Sequence, residues 1–372
     1  MKITVVGGGV IGCATAYELA KAGCAVTLFE RATPGAEASG AAAGLLTPLG
    51  ESRGSAYDRL ALESWRLYPT VVDELRTRTG IDVEYVTRGT IHPLFDADDV
   101  RQAEARVAGR APTEFGIEAW DTADVRVREP SLATRVRGAM FIGAEHWVNN
   151  QRLVVAYAQA AVAAGVVLRA GTSVSRIIVE DGRTHGVVAD GDRWEADAVL
   201  LAAGAWTGAL AASFGARLRV EPARGQMVAL AHVPPVLNHA VHGPDIYLVP
   251  RPSGELLIGA TVERVGFQRS VTAEGIAGLL AAAIGLVPSL GALPIARTWY
   301  GFRPWAPDSL PILGPWPDVE GLWVATAHFR NGILLAPITA HLMTDWMTTG
   351  RPGLEIDDFA PERFLTRGHT TF

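Results

Sequence analysis

Cysteine is almost absent from this chain: its 372 residues include two, Cys13 and Cys24. The pair lies in one short stretch without C-x-x-C spacing. That argues against a disulfide framework or a zinc site, and leaves both as small packing residues in a reducing compartment. No metal centre is expected. Long apolar runs are missing too. No stretch of about 18 apolar residues occurs, so no membrane-spanning helix and no membrane partner are expected. Basic residues are not in surplus: 33 Lys and Arg stand against 39 Asp and Glu, a net charge of −6. A nucleic-acid partner would need the opposite balance. Repeats and low-complexity segments are also lacking. Met1 leads directly into a strand-like run, so no signal peptide is expected and the anticipated location is cytoplasmic.

What the chain does have is apolar content and glycine. With 49% hydrophobic and 19% charged residues it reads as globular. Its length suits two domains and a core able to enclose a ligand. Residues 3–6 form a short apolar run, the mark of a buried strand. Gly7-Gly8-Gly9-Val10-Ile11-Gly12 follows, matching G-x-G-x-x-G at Gly7, Gly9 and Gly12. A helix is predicted over 11–22, then a second strand over 25–30 closing on Glu30. In such a unit the first glycine allows the tight turn, the second lets the backbone approach a pyrophosphate, and the third lets helix pack on strand. The helix start offers N–H groups and partial positive charge to the phosphates. Glu30 is placed to accept hydrogen bonds from a ribose diol, and would repel the 2′-phosphate of NADP.

The glycine motif does not separate FAD from NAD. Residues 38–46, Ala-Ser-Gly-Ala-Ala-Ala-Gly-Leu-Leu, have side chains small enough to lie flat along an extended cofactor, with Ser39 among the contacts. Residues 197–206 read as a buried strand ending in a small turn at Gly204, at the sheet edge where α/β folds bind ligands. No second G-x-G-x-x-G follows. An enzyme whose flavin is reduced by a nicotinamide would carry another nucleotide site, so FAD reduced by the substrate itself is expected. Elsewhere the patterns give an amphipathic helix over 60–79, strands over 83–88 and 90–94, and a polar helix over 97–108. A helix over 150–164 precedes short strands to 204, with turns at Asp181-Gly182 and Asp190-Gly191. Then come a β-rich region over 218–263, a helix over 273–286, a strand over 323–325 and a helix over 332–347. The expected fold class is α/β. A Rossmann-like FAD-binding domain is built from 1–80, 150–217 and 304–372, interleaved with a β-rich substrate domain from 81–149 and 218–303.

Two C-terminal segments carry a sharper signal. One is Gly301-Phe302-Arg303-Pro304-Trp305-Ala306-Pro307-Asp308-Ser309-Leu310-Pro311-Ile312-Leu313-Gly314. The other is Ala327-His328-Phe329-Arg330-Asn331-Gly332-Ile333-Leu334-Leu335-Ala336-Pro337. With the N-terminal motif and residues 41–46, they resemble the D-amino-acid oxidase superfamily of FAD-dependent oxidoreductases, and within it the ThiO-like glycine oxidases. The resemblance spans essentially the whole chain.

It implies non-covalent FAD and removal of a hydride from the α-carbon of glycine, sarcosine or a small D-amino acid. The products would be an α-oxo acid and ammonia or a primary amine. Dioxygen would take up the electrons as hydrogen peroxide, and a role in thiamine thiazole synthesis is implied as well. No cysteine follows Cys24, which excludes the cysteine-attached flavin of sarcosine oxidases. Arg303 stands at the arginine that grips the substrate carboxylate with a planar guanidinium, Tyr247 at the tyrosine that supports it, and Arg330 at the arginine beside the flavin ring. Val10, Ile11, Glu30, Arg31, Ala43, Gly44, Leu45 and Val174 stand at FAD-contacting positions. His328, Phe329, Arg330, Asn331, Gly332, Ile333 and Leu334 form the loop against the isoalloxazine. Hydride removal is chiefly a matter of positioning, so no acid–base residue is assigned.

The plainer readings are a backbone-bonded loop histidine for His328, pairing with Asp308 for Arg303, packing for Tyr247 and a surface ion pair for Arg330. The chain departs from the pattern at Ala327 and Ser309, where glycine is common. It also departs at Asp245, where some relatives have histidine, and at Leu45 and Val262, where some have methionine. Two alternative functions are a D-amino-acid or glycine dehydrogenase with another electron acceptor, and a non-catalytic flavin-binding regulatory protein. A homo-oligomer is compatible with the sequence.

Overall fold

The computed structural model describes residues 1–50, 52–108, 115–231 and 235–364; the last eight residues of the 304–372 segment lie outside that set. Lys2–Val6 is the central strand of a six-stranded sheet, and its last four residues are all buried. A run that is apolar but for the buried Thr4 suits a strand covered on both faces. It pairs in parallel with Ala25–Glu30 on one side and Ala198–Leu201 on the other. Val167–Ala170 completes one edge. Leu322–Thr326 and the antiparallel Ile312–Pro315 complete the other. Neighbouring strands thus leave the central one in opposite directions, which opens a crevice beyond its carboxyl end.

Four helices cover one face of this sheet. Val10–Lys21, Ser55–Thr79, Asn150–Ala163 and Gly332–Thr349 bury a shared core that includes Leu19, Tyr68, Leu75, Leu153, Tyr157 and Met343. Asn149 caps the third of these helices, accepting from Arg152 N–H at 3.2 Å, as N-cap asparagines do. On the other face, the three strands Val174–Glu180, Arg183–Ala189 and Asp192–Glu195 pack Ile177 and Val187 against Val199 and Leu201. Cys13 is wholly buried and burial pushes its thiol up, as a packing cysteine requires.

The second sheet has eight strands in the order Ile295–Trp305, Glu221–Ala231, Glu255–Gly259, Tyr247–Pro250, Ala240–His242, Thr90–Leu94, Gly138–Ile142, Ile117–Trp120. Its side chains alternate as a pleat demands. Val228, Leu230, Leu256 and Ile258 face the helix Ala273–Leu286, while Met227, Ala229, Val249 and Leu257 face the other way, toward Ala43 and Trp147. Strands of the first sheet come from 1–80, 150–217 and 304–372, and those of the second from 81–149 and 218–305, because Ile295–Trp305 runs two residues past 303.

The 83–88 segment is not a strand. Glu84 adopts a left-handed φ of 52°, and Val86 makes a single bridge to Trp147. The long helix starts at Ser55 rather than 60. Among the strands that escape the sequence patterns are Ile117–Trp120, Gly138–Ile142, Ile295–Trp305 and Ile312–Pro315. No helix among the described residues is long and apolar enough to cross a membrane.

Candidate functional site

A cavity of about 1000 Å³ lies between the two sheets and is lined from both, at the upper end of the ~300–1,000 Å³ usual for small-molecule sites. One end is the glycine turn. Gly7 has φ +111°, and a Cβ there would lie 2.5 Å from Ala202 O. Gly12 would put a Cβ 1.9 Å from Gly7 O, so it is glycine to let the helix close on the turn, and it does not line the cavity. Gly9 precedes the helix without side-chain capping. Val10 N–H donates to Ser39 Oγ at 3.0 Å. Glu30 accepts from Gly8 N–H at 2.8 Å through Oε2 and from Ala32 N–H at 2.9 Å through Oε1. A carboxylate has about four acceptor sites, so capacity for a diol remains. Arg31 stacks over Trp206 at 3.8 Å and pairs with Glu37. Val174 and Gly204 continue the wall.

The segment 38–46 lines the middle of the cavity, and three residues distant in sequence hold it there. Asn150 Nδ2 donates to Ser39 O at 2.7 Å and Gly40 O at 3.0 Å. Arg251 Nη2 donates to Ala43 O at 2.8 Å and Asn150 Oδ1 at 2.9 Å, and its Nη1 donates to Val148 O. Trp299 Nε1 donates to Ala41 O at 3.0 Å. Arg251 is 6% exposed, and burial pulls its guanidinium down to about 10. None of the three stands out in the sequence, because nothing local marks them.

The far end carries the charged groups. Arg303 lies on Ile295–Trp305 opposite Ala223, and its Nη1 donates to Thr261 O at 3.0 Å. A Cβ on Gly225 would sit 2.2 Å from that Nη1, so the glycine makes room for the guanidinium. Asp308 does not pair with Arg303; it binds Arg363 at 3.0 Å. Tyr247 places its hydroxyl 3.3 Å from Met227 Sδ, and the charge of Arg303 acts on it. Burial raises the Tyr247 pKa in spite of Arg303 and Arg330, so the phenol is neutral at pH 7. Arg330 lies over the Phe329 ring at 5.3 Å.

His328 is buried, its Nε2 is 3.1 Å from Thr339 Oγ1, and burial pushes it down to about 3. It is therefore neutral, and its ring bonds a helix hydroxyl rather than the backbone. Ala327 and Ser309 have φ of 58° and 59°, a conformation glycine adopts without strain. Asn331 donates to Tyr57 Oη, and Gly332 begins the helix. Leu334 is fully buried in the core and does not reach the cavity. Apart from Gly12 and Leu334, every residue expected at the site from the sequence, from Gly7 to Ile333, lines this one cavity, as do Asp245 and Val262.

These residues fit a dinucleotide with an extended second half. A Cβ at Gly9 would close to 3.2 Å on Ser39 Oγ and narrow the approach to the helix start. Glu30 stands beside it, and a lining of small residues leads to two arginines.

The comparisons with known proteins agree. The family model described as "DAO: FAD dependent oxidoreductase" matches residues 2–346. The chain is 35% identical to a glycine oxidase of Pseudomonas putida, covering 97% of this chain and 98% of that one. It is 38% identical to the bifunctional protein ThiO/ThiG of Synechocystis, covering 98% of this chain and 54% of the other. Among solved structures, glycine oxidase from Geobacillus kaustophilus superposes with a TM-score of 0.90 at 35% identity, covering 98% and 99% of the two chains.

Proposed function

This chain belongs to the DAO family of FAD-dependent oxidoreductases and is an amino-acid oxidase; from that premise we propose that its substrates are glycine, sarcosine or small D-amino acids. The products are the α-oxo acid, ammonia or a primary amine, and hydrogen peroxide from dioxygen. A contribution to thiamine thiazole formation accompanies this reading. The observation that carries it is that Arg303, Tyr247 and Arg330 converge on the wall of one cavity.

The bound flavin supplies a two-electron acceptor for the α-hydrogen. Arg303 presents a planar cation to the substrate carboxylate. Tyr247, held neutral, donates its hydroxyl proton to the same group, and Arg330 adds positive charge. With the carboxylate fixed, the α-carbon is held in one orientation, and this positioning lowers the barrier to the step. His328, neutral and bonded to Thr339, carries no proton to the substrate; it braces the loop that precedes the helix Gly332–Thr349. At the opposite end Glu30 and the start of Val10–Lys21 would hold the diol and pyrophosphate of the cofactor.

The test is anaerobic addition of glycine, sarcosine, N-ethylglycine, D-alanine or D-proline to the yellow holoenzyme, followed by a peroxide-coupled screen in air. Bleaching by at least one amine, with stoichiometric peroxide on re-aeration, is expected. A spectrum unmoved by all of them overturns the reading, and bleaching without peroxide overturns dioxygen as acceptor.

A further inference from the structure

We propose that His92, Glu145 and His242 form a binding site for a divalent cation of the zinc class in the wall of the cavity, with a coordination position open to it. The strands bring the three together. Thr90–Leu94 and Ala240–His242 are parallel neighbours with Ile91 opposite Val241, so His92 and His242, each one residue further on, stand side by side. Gly138–Ile142 runs antiparallel to Thr90–Leu94 with Ile142 opposite Thr90, and Glu145 follows in the turn beyond. His92 Nε2 is 3.0 Å and His242 Nδ1 4.0 Å from Glu145 Oε2, and one ligand atom from each residue lies within 4.8 Å of the others. Zinc bonds of about 2.0–2.2 Å in a tetrahedron set ligand atoms roughly 3.3 Å apart. Closing the widest separation allowed by these distances takes at most about 1.5 Å, shared between two side chains.

The chemistry of the donors argues in the same direction. Two imidazoles and one carboxylate are a known ligand set for open zinc sites. Glu145 is wholly buried, and its Oε1 has no hydrogen-bond partner among the described residues. A buried carboxylate oxygen left unmatched is costly, and a cation or its bound water would satisfy it. Thr90 Oγ1 donates to Oε2, the kind of hydrogen bond that orients a ligating carboxylate.

His92 and His242 line the cavity while Glu145 sits behind them, so the remaining coordination position faces the cavity and takes water or another oxygen donor. His242 is paired across the strands with Tyr247, and their rings are 6.2 Å apart. Such a cation would add positive charge within one residue pair of Tyr247. The scarcity of cysteine excludes only thiolate sites. This one uses nitrogen and oxygen donors too far apart in sequence to form a motif, and it does not depend on which amine the enzyme oxidises.

The experiment is titration of chelator-treated, FAD-loaded enzyme with Zn²⁺ by calorimetry, and with Co²⁺ by absorption outside the flavin bands. One saturable Zn²⁺ per chain is expected, with tetrahedral Co²⁺ bands. His92→Ala and His242→Ala should each weaken binding at least tenfold while flavin content and circular dichroism stay those of the wild type. If either variant fails to fold, Glu145→Gln, close to isosteric, must show the same loss. Absence of saturable binding overturns the proposal, and so does binding undiminished in the folded variants.

Discussion

Arg303 and Gly225 make a pair that separates positioning from folding. Arg303→Ala removes the guanidinium and is expected to cost about 2–5 kcal/mol of carboxylate binding. It should be read as a large rise in KM with flavin content intact; a KM that barely moves would sink the clamp. Gly225→Ala leaves Arg303 in the sequence but puts a methyl 2.2 Å from its Nη1. The end of a flexible side chain must then swing away while the strands stay put. A raised KM with a stability change under about 1 kcal/mol is expected from steady-state kinetics and urea melts. His328 gives a prediction of another kind. Its ordinary value of 6.5 falls to about 3 in the fold, so between those values the unfolded chain binds the extra proton. Its contribution to stability is complete above about pH 6.5 and is lost as pH falls toward 3, by at most about 1.4 kcal/mol per pH unit. Urea melts at pH 7 and pH 5 should show a steeper loss for wild type than for His328→Gln; equal slopes would contradict it.

At the scale of elements, the segment 38–46 depends on tethers rather than on regular structure of its own. Arg251→Met keeps the bulk but leaves the carbonyls of Ala43 and Val148 without their charged donor. A loss of about 2–4 kcal/mol is expected, with FAD released during gel filtration that the wild type survives. Elements whose causes are local were readable. The central strand, the glycine turn and the following helix lie within thirty residues and follow from periodicity and spacing. The 83–88 segment has strand-forming residues, but Glu84 turns left-handed, which no propensity reveals. Ile117–Trp120 and Gly138–Ile142 are four and five residues long. They are joined by the Trp120–Phe141 stack at 4.8 Å, a contact that exists only once they are adjacent.

Across the whole molecule, the residues lining the cavity were legible where a motif ties chemistry to spacing, as at Gly7, Glu30, Arg303 and the loop from His328 to Ile333. Asn150, Arg251 and Trp299 were not, since their partners lie 101 to 258 residues away. Nor was the cluster of His92, Glu145 and His242, whose first two members are 53 residues apart. Leu334 was misplaced because a run of contact residues says nothing about which of them a helix turns inward. The long tethers also govern when the molecule can be completed during synthesis. A ribosome releases the glycine turn first, yet Ala41 meets Trp299 258 residues later, and the strand Leu322–Thr326 must still join Ala198–Leu201. Cofactor capture is therefore a terminal event in biogenesis. Nascent chains arrested before Trp299 emerges should hold no flavin through a wash, whereas full-length released chains should be yellow.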